Sequence, residues 1–125
     1  MNGTTTHVYD YTYDTAGRLD TVTKDTILQN NYEYDDNSNR TSIDGGTTTN
    51  ATYDDQDRLT TYAGNSYAYT DNGELFTKTV ASDVTTYTYD VLGNLRNVDL
   101  PNTTDDIEYL IDGRNRRIGK KVGAS

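Results

Sequence analysis

Along most of the chain, apolar and polar positions alternate with a period of two, and short polar clusters interrupt the alternation at intervals. The triplets Tyr11-Thr12-Tyr13, Tyr32-Glu33-Tyr34, Tyr67-Ala68-Tyr69 and Tyr87-Thr88-Tyr89 carry the alternation most clearly. A strand sends successive side chains to opposite faces, so both rings of each triplet leave the same face. After each triplet comes a turn cluster, then short pieces such as Leu19-x-x-Val22 and Leu95-x-x-Val98 that resume an extended strand. Second turns are expected at Asp44-Gly45-Gly46, Ala63-Gly64-Asn65, Ala81-Ser82-Asp83 and Pro101-Asn102. The pattern therefore predicts an all-β fold of consecutive antiparallel β-hairpins, coiled by strand twist into a strip.

Stacked on Tyr-x-Tyr-Asp, the sequence gives six units. They are Tyr11-Thr-Tyr13-Asp14-Thr-Ala-Gly17-Arg18-Leu19, Tyr32-Glu-Tyr34-Asp35-Asp-Asn-Ser38-Asn39-Arg40 and Ala51-Thr-Tyr53-Asp54-Asp-Gln-Asp57-Arg58-Leu59. The other three are Tyr67-Ala-Tyr69-Thr70-Asp-Asn-Gly73-Glu74-Leu75, Tyr87-Thr-Tyr89-Asp90-Val-Leu-Gly93-Asn94-Leu95 and Tyr109-Leu-Ile111-Asp112-Gly-Arg-Asn115-Arg116-Arg117. The turn-opening place falls at 14, 35, 54, 70, 90 and 112, so the period drifts and excludes a coiled coil or a strict β-helix. Hairpins with distal loops of varying length fit it. The array spans residues 9–122, with 1–8 read as a lead-in strand and 123–125 as a tail.

Each place in the unit has a physical role. Tyr13, Tyr34, Tyr53, Tyr69 and Tyr89 are expected to stack ring on ring between hairpins. Asp14, Asp35, Asp54, Asp90 and Asp112 are expected to open turns by accepting backbone N–H groups two or three residues on. Gly17, Gly73 and Gly93 take the corner, where the chain needs positive φ.

Composition supports this picture. Hydrophobic residues make up 32% and mean hydropathy is -0.90, too little for an aliphatic core, yet there are 12 Tyr. Tyr and Thr both favour pleated backbone, and a Tyr ring can be buried while its hydroxyl stays wet. The net charge of -9 argues against nucleic-acid binding. No run is long and apolar enough for membrane insertion as a helix. Absence of Cys excludes disulfides and thiolate chemistry.

Candidate chemistry is sparse. The single histidine, His7, reads as an exposed strand residue outside the first regular unit. An Asp recurring in nearly every unit signals architecture rather than catalysis, so the chain reads as no enzyme, with no cofactor. Asp35-x-Asn37-x-Asn39 and Asp54-Asp55-x-Asp57 resemble the start of a calcium loop, without the later Gly and bidentate Glu of an EF-hand, and read as turn caps. Arg114, Arg116, Arg117, Lys120 and Lys121 form the one basic cluster, read as outward strand charges paired with acidic neighbouring hairpins. Four Asn-x-Ser/Thr sequons, at Asn2, Asn39, Asn50 and Asn102, are expected by chance in so Thr-rich a chain.

The unit resembles the YD repeat of the RHS family, which includes bacterial toxin-complex C proteins and animal teneurins. The ending Tyr109-Leu-Ile-Asp-Gly-Arg-Asn-Arg-Arg-Ile-Gly-Lys-Lys-Val122 is especially similar to bacterial RHS chains approaching their core. The resemblance implies a β-strip wound into a hollow shell that often encloses a toxin, in a secreted or cell-surface protein. This chain is short for a closed shell and carries neither the Asp-Pro-Gly-like autocleavage signature nor a toxin segment. Enclosure is thus implied for a longer parent. The resulting expectation is a non-catalytic shell-wall scaffold whose partners are other repeats or domains of the same polypeptide. Two alternatives stand beside it: a homo-oligomer or filament made by edge-strand pairing, and a surface whose Tyr rings stack on glycans.

Overall fold

The computed structural model describes residues 6–44, 50–102 and 104–123, which contain twelve strands and no helix. The all-β expectation is met. By its internal contacts the chain divides into two units, Met1–Ala63 and Gly64–Ser125. In the first, β1 (Tyr9–Tyr13), β2 (Leu19–Lys24), β3 (Ile27–Tyr34) and β4 (Arg40–Ile43) form a sheet in that order. There β5 (Ala51–Tyr53) and β6 (Leu59–Tyr62) make a further antiparallel hairpin. In the second, β7 (Asn65–Tyr69), β8 (Leu75–Val80), β9 (Asp83–Tyr89), β10 (Leu95–Asp99), β11 (Ile107–Ile111) and β12 (Arg117–Val122) each pair with the next, all antiparallel.

The turns after the Tyr-bearing strands are identical in length, so the drift in period lies at the other end of the hairpins. The Ala81-Ser82 loop between β8 and β9 is the expected two-residue connection, with Ala81 at φ 54°. Pro101-Asn102 falls in a longer link between β10 and β11. Of the Asp44-Gly45-Gly46 turn, the two glycines lie outside the described residues. The Gly and Pro pattern marks no turn between β2 and β3, yet one exists at Asp25-Thr26, with φ of 51° and 68°. Two left-handed residues in a two-residue loop match the right-handed twist of the strands they join, and Asp tolerates that conformation. Residues 6–8 carry no strand. Instead Asp25 holds Val8 at both ends, accepting its N–H at 2.9 Å and donating its own to the Val8 carbonyl at 2.8 Å.

One irregularity recurs in every hairpin, and simple alternation does not predict it. Tyr13 faces Leu19 and Thr12 faces Thr21, so Asp20 is an extra residue in β2. Thr41, Thr60, Phe76, Arg96 and Ile118 are skipped in the same way in the other five hairpins. Each is a β-bulge. Its effect on facing is visible in the first hairpin, where the Thr12 hydroxyl reaches both Asp20 at 3.4 Å and Thr21 at 2.6 Å. Two successive residues of β2 therefore share the outer face with Thr12. This corrects the reading of Leu19-x-x-Val22 as an alternating piece. Residues three apart face opposite ways in a regular strand. The bulge returns Leu19 and Val22 to one face, opposite Tyr13 and Tyr11.

The ring-bearing face is half-buried rather than sealed. Ala51 and Val98 are the buried apolar residues among those described, and no large side chain is fully buried. Tyr11 and Tyr13 of the first hairpin are 55% and 63% exposed.

Candidate functional site

The six turns are the most elaborate polar feature of the molecule. In each, one residue opens the turn (Asp14, Asp35, Asp54, Thr70, Asp90, Asp112). A corner stands three residues on, and a closer four on. The opener's N–H donates to the closer's carbonyl, and the corner's N–H donates to the opener's carbonyl, at 2.8–3.0 Å in all six turns. The corners Gly17, Ser38, Asp57, Gly73, Gly93 and Asn115 all have φ between 58° and 93°. Positive φ was expected there, and side chains that tolerate it replace Gly in three turns.

The opener's side chain completes the loop differently from the sequence expectation. In four of the turns it accepts N–H groups two and four residues on, while the one between them goes to its carbonyl. Asp14 Oδ1 takes Ala16 and Arg18 N–H at 2.9 Å, and Oδ2 takes Arg18 Nε at 2.7 Å. Asp54 repeats this with Gln56 and Arg58, Asp90 with Leu92 and Asn94, and Asp112 with Arg114 and Arg116. Asp35 holds Asn39 through N–H and amide. The fourth turn exchanges the chemistry of the pair: the Thr70 hydroxyl donates to the Glu74 carboxylate and accepts the Glu74 N–H. An acid opener has a cationic or amide closer, and the hydroxyl opener has an acid closer. These donors hold the carboxyls of Asp14, Asp54, Asp90 and Asp112 below the ordinary value of 3.8. The Arg18 N–H is the largest cause for Asp14, and side-chain bonds from Asn94 and Arg116 lead for Asp90 and Asp112.

Within each unit the turns are also tied to their successors. The Arg18 guanidinium donates to the Asp35 carbonyl at 3.0 Å and to Ser38 Oγ at 3.2 Å, and lies 4.6 Å over the Tyr34 ring. Asn37 and Asn39 both donate to Asp57 Oδ1, at 2.8 and 2.7 Å. Asn94 donates to Asn115. Alongside runs a second tie, which the sequence reading missed. The hydroxyls of Tyr34, Tyr53 and Tyr89 donate at 2.9 Å to the carbonyls of Leu19, Arg40 and Leu75, each the first residue of the preceding return strand. Burial, with Glu74 nearby, pushes the Tyr89 hydroxyl above its ordinary value of 10.0. A Tyr one residue before five of the six openers, where Phe would serve burial equally, was the available signal.

The remaining candidates are placed as follows. Tyr13 ends β1 and Asp14 opens the first turn, while Tyr69 ends β7 and Gly73 is the corner of the fourth turn. Asp57 and Asp54, from the calcium-like segment, receive the amide and guanidinium donors already described. His7 Nδ1 lies 2.7 Å from Asp25 Oδ2, with both side chains exposed. In the basic cluster, Arg116 pairs with Asp112 at 2.7 Å, Lys121 with Glu108 at 3.5 Å, and Arg117 lies 4.8 Å over Tyr109. All three partners belong to the same hairpin rather than a neighbouring one.

No curated protein matches the chain. The family model described as Teneurin YD-shell matches residues 1–125. Six hairpins with one turn geometry, half-buried Tyr faces and a match over the whole chain place it: the chain belongs to the Teneurin YD-shell family.

Proposed function

We propose that the chain is a non-catalytic scaffold, a stretch of hairpin wall in a secreted or cell-surface protein that encloses or presents other domains. The observation carrying this reading is the repetition of one turn, with its opener, corner and closer, six times over. A catalytic site needs a unique constellation, whereas a wall needs one interface made many times. In this reading Tyr13, Tyr34, Tyr53, Tyr69 and Tyr89 carry the inter-hairpin contacts. Asp14, Asp35, Asp54, Asp90 and Asp112, with Gly17, Gly73 and Gly93, fix the turns.

Two measurements test it. Purified chain should resist a broad-specificity protease that digests Tyr89→Ala and spares Thr88→Ala; equal sensitivity of all three would contradict the scaffold role. Protease added to intact producing cells should remove an epitope in this chain. An epitope lost only after lysis would contradict surface placement.

A further inference from the structure

Two junctions between successive hairpins share one frame and are filled differently. At the first, Thr21 faces Asn31 and Val22 faces Asn30. At the fourth, in the same register, Thr77 faces Thr86 and Lys78 faces Thr85. The tyrosine tie is also the same, Tyr34 to the Leu19 carbonyl and Tyr89 to the Leu75 carbonyl, both at 2.9 Å. At the first junction the Arg18 guanidinium lies between the turns. It sits 4.6 Å over the Tyr34 ring and donates to the Asp35 carbonyl and the Ser38 hydroxyl.

At the fourth junction Glu74 stands in the place of Arg18 and Gly93 in the place of Ser38, so the guanidinium and the hydroxyl it reaches are both missing. The Glu74 carboxylate accepts the Thr70 hydroxyl and lies beside the next corner, where a Cβ on Gly93 would come 3.7 Å from Oε1. A cavity of about 230 Å³ opens here, and its lining includes Thr70, Glu74, Phe76, Tyr87, Tyr89 and Asp90. Arg96, whose charge helps to hold the Asp90 carboxyl low, does not line it. Both hairpins that bound the cavity belong to this chain, so it is not an edge left for a further repeat.

We propose that this cavity binds an arginine side chain of a partner segment. The incoming guanidinium takes the place that Arg18 fills at the first junction. The Asp35 carbonyl accepts the Ser38 N–H and, on its second lone pair, the Arg18 donor. The Asp90 carbonyl accepts the Gly93 N–H in the same way, and its second lone pair takes the ligand's donor. The Tyr89 ring holds the position of the Tyr34 ring beneath the cation. Glu74 adds what the first junction lacks, a carboxylate that matches a planar fork of donors. Phe76, 46% exposed at the bulge, adds an aromatic wall. A lysine ammonium is a compact point charge without that fork, so the site favours arginine.

The test is an NMR titration of the folded chain with Nα-acetyl-arginine amide, beside its lysine and citrulline counterparts. Amide shifts should concentrate at Glu74, Asp90 and Gly93 and spare Ser38 and Asn39, whose junction Arg18 already fills. Citrulline keeps the shape without the charge and should bind at least about tenfold more weakly. Glu74→Gln should weaken arginine binding about three- to tenfold. Thr70→Asp with Glu74→Arg supplies the guanidinium from within and should abolish it. Phe76→Ala leaves the hydrogen bonds of the turn in place and should also weaken binding, which covers the case of a Glu74 variant that does not fold. Equal shifts with lysine, shifts spread evenly over the acidic surface, or arginine binding unchanged in folded Glu74→Gln and Phe76→Ala overturn the inference. It goes beyond the hairpin-wall reading: a chain that melts cooperatively as β-sheet yet binds no arginine keeps the wall and loses this site.

Discussion

At the scale of the residue, the opener and closer act as a pair whose chemistry is complementary, and the fourth turn exposes the rule by exchanging it. Thr70→Asp alone sets two carboxylates four residues apart in one tight turn, and we expect a lower melting temperature. Thr70→Asp with Glu74→Arg should recover the loss, because it recreates the Asp54–Arg58 arrangement. Equal melting of the single and double variants would contradict the pairing. The depressed carboxyls of Asp14, Asp54, Asp90 and Asp112 fix the acid response. A carboxyl with a lower value folded than unfolded stabilises above the unfolded value near 3.8 and loses that contribution as pH falls through the folded one. Melting temperature should therefore fall below about pH 4, less steeply in Asp54→Asn. Tyr89 has the opposite sign: raised above 10.0, its contribution is complete below that pH and lost as pH rises through the raised value. Tyr89→Phe should flatten the alkaline loss and cost about 0.5–1.5 kcal/mol at neutral pH. The openers and corners were legible in the sequence because Asp and Gly answer local backbone needs. The closer's pairing was not, since Arg, Asn and Glu share no obvious type until their partners are seen.

At the scale of the element, the strands and the shared face of each Tyr-x-Tyr were readable from period-two alternation, and the recurrent bulge was not. A bulge leaves no fixed residue type, as Asp20, Thr41, Thr60, Phe76, Arg96 and Ile118 demonstrate. Its trace is spacing alone: apolar residues three apart, Leu19 to Val22 and Leu95 to Val98, in segments too short for helices. The bulge predicts that deleting Thr60 costs far less than deleting Thr52 on the facing strand, because Leu59, Thr61 and Tyr62 then alternate regularly on their own faces, whereas loss of Thr52 turns Ala51 to the wrong face. Similar denaturant midpoints for the two would remove the bulge from the account. On the strand before a turn, Tyr89→Ala should cost about 2 kcal/mol, less than a fully buried ring, and Thr88→Ala under about 0.5.

At the scale of the whole molecule, low hydropathy and twelve tyrosines already pointed to a protein without a closed aliphatic core. The structure agrees, with Ala51 and Val98 as the buried apolar residues among those described. Cohesion comes from ties between successive hairpins: the Tyr hydroxyls on preceding carbonyls, and Arg18, Asn39 and Asn94 on the next turn. These ties were hidden because they join residues 13–21 apart whose register depends on the distal loops. The central claim is that every hairpin is closed by the same hydrogen-bonded turn. Amide hydrogen exchange followed residue by residue tests it most directly. Corner and closer amides at Gly17 and Arg18, Asp57 and Arg58, Gly93 and Asn94, and Asn115 and Arg116 should be protected. Those just after the openers, at Thr15, Asp55, Val91 and Gly113, should exchange freely. Corner and closer amides that exchange as fast as their neighbours would contradict the account.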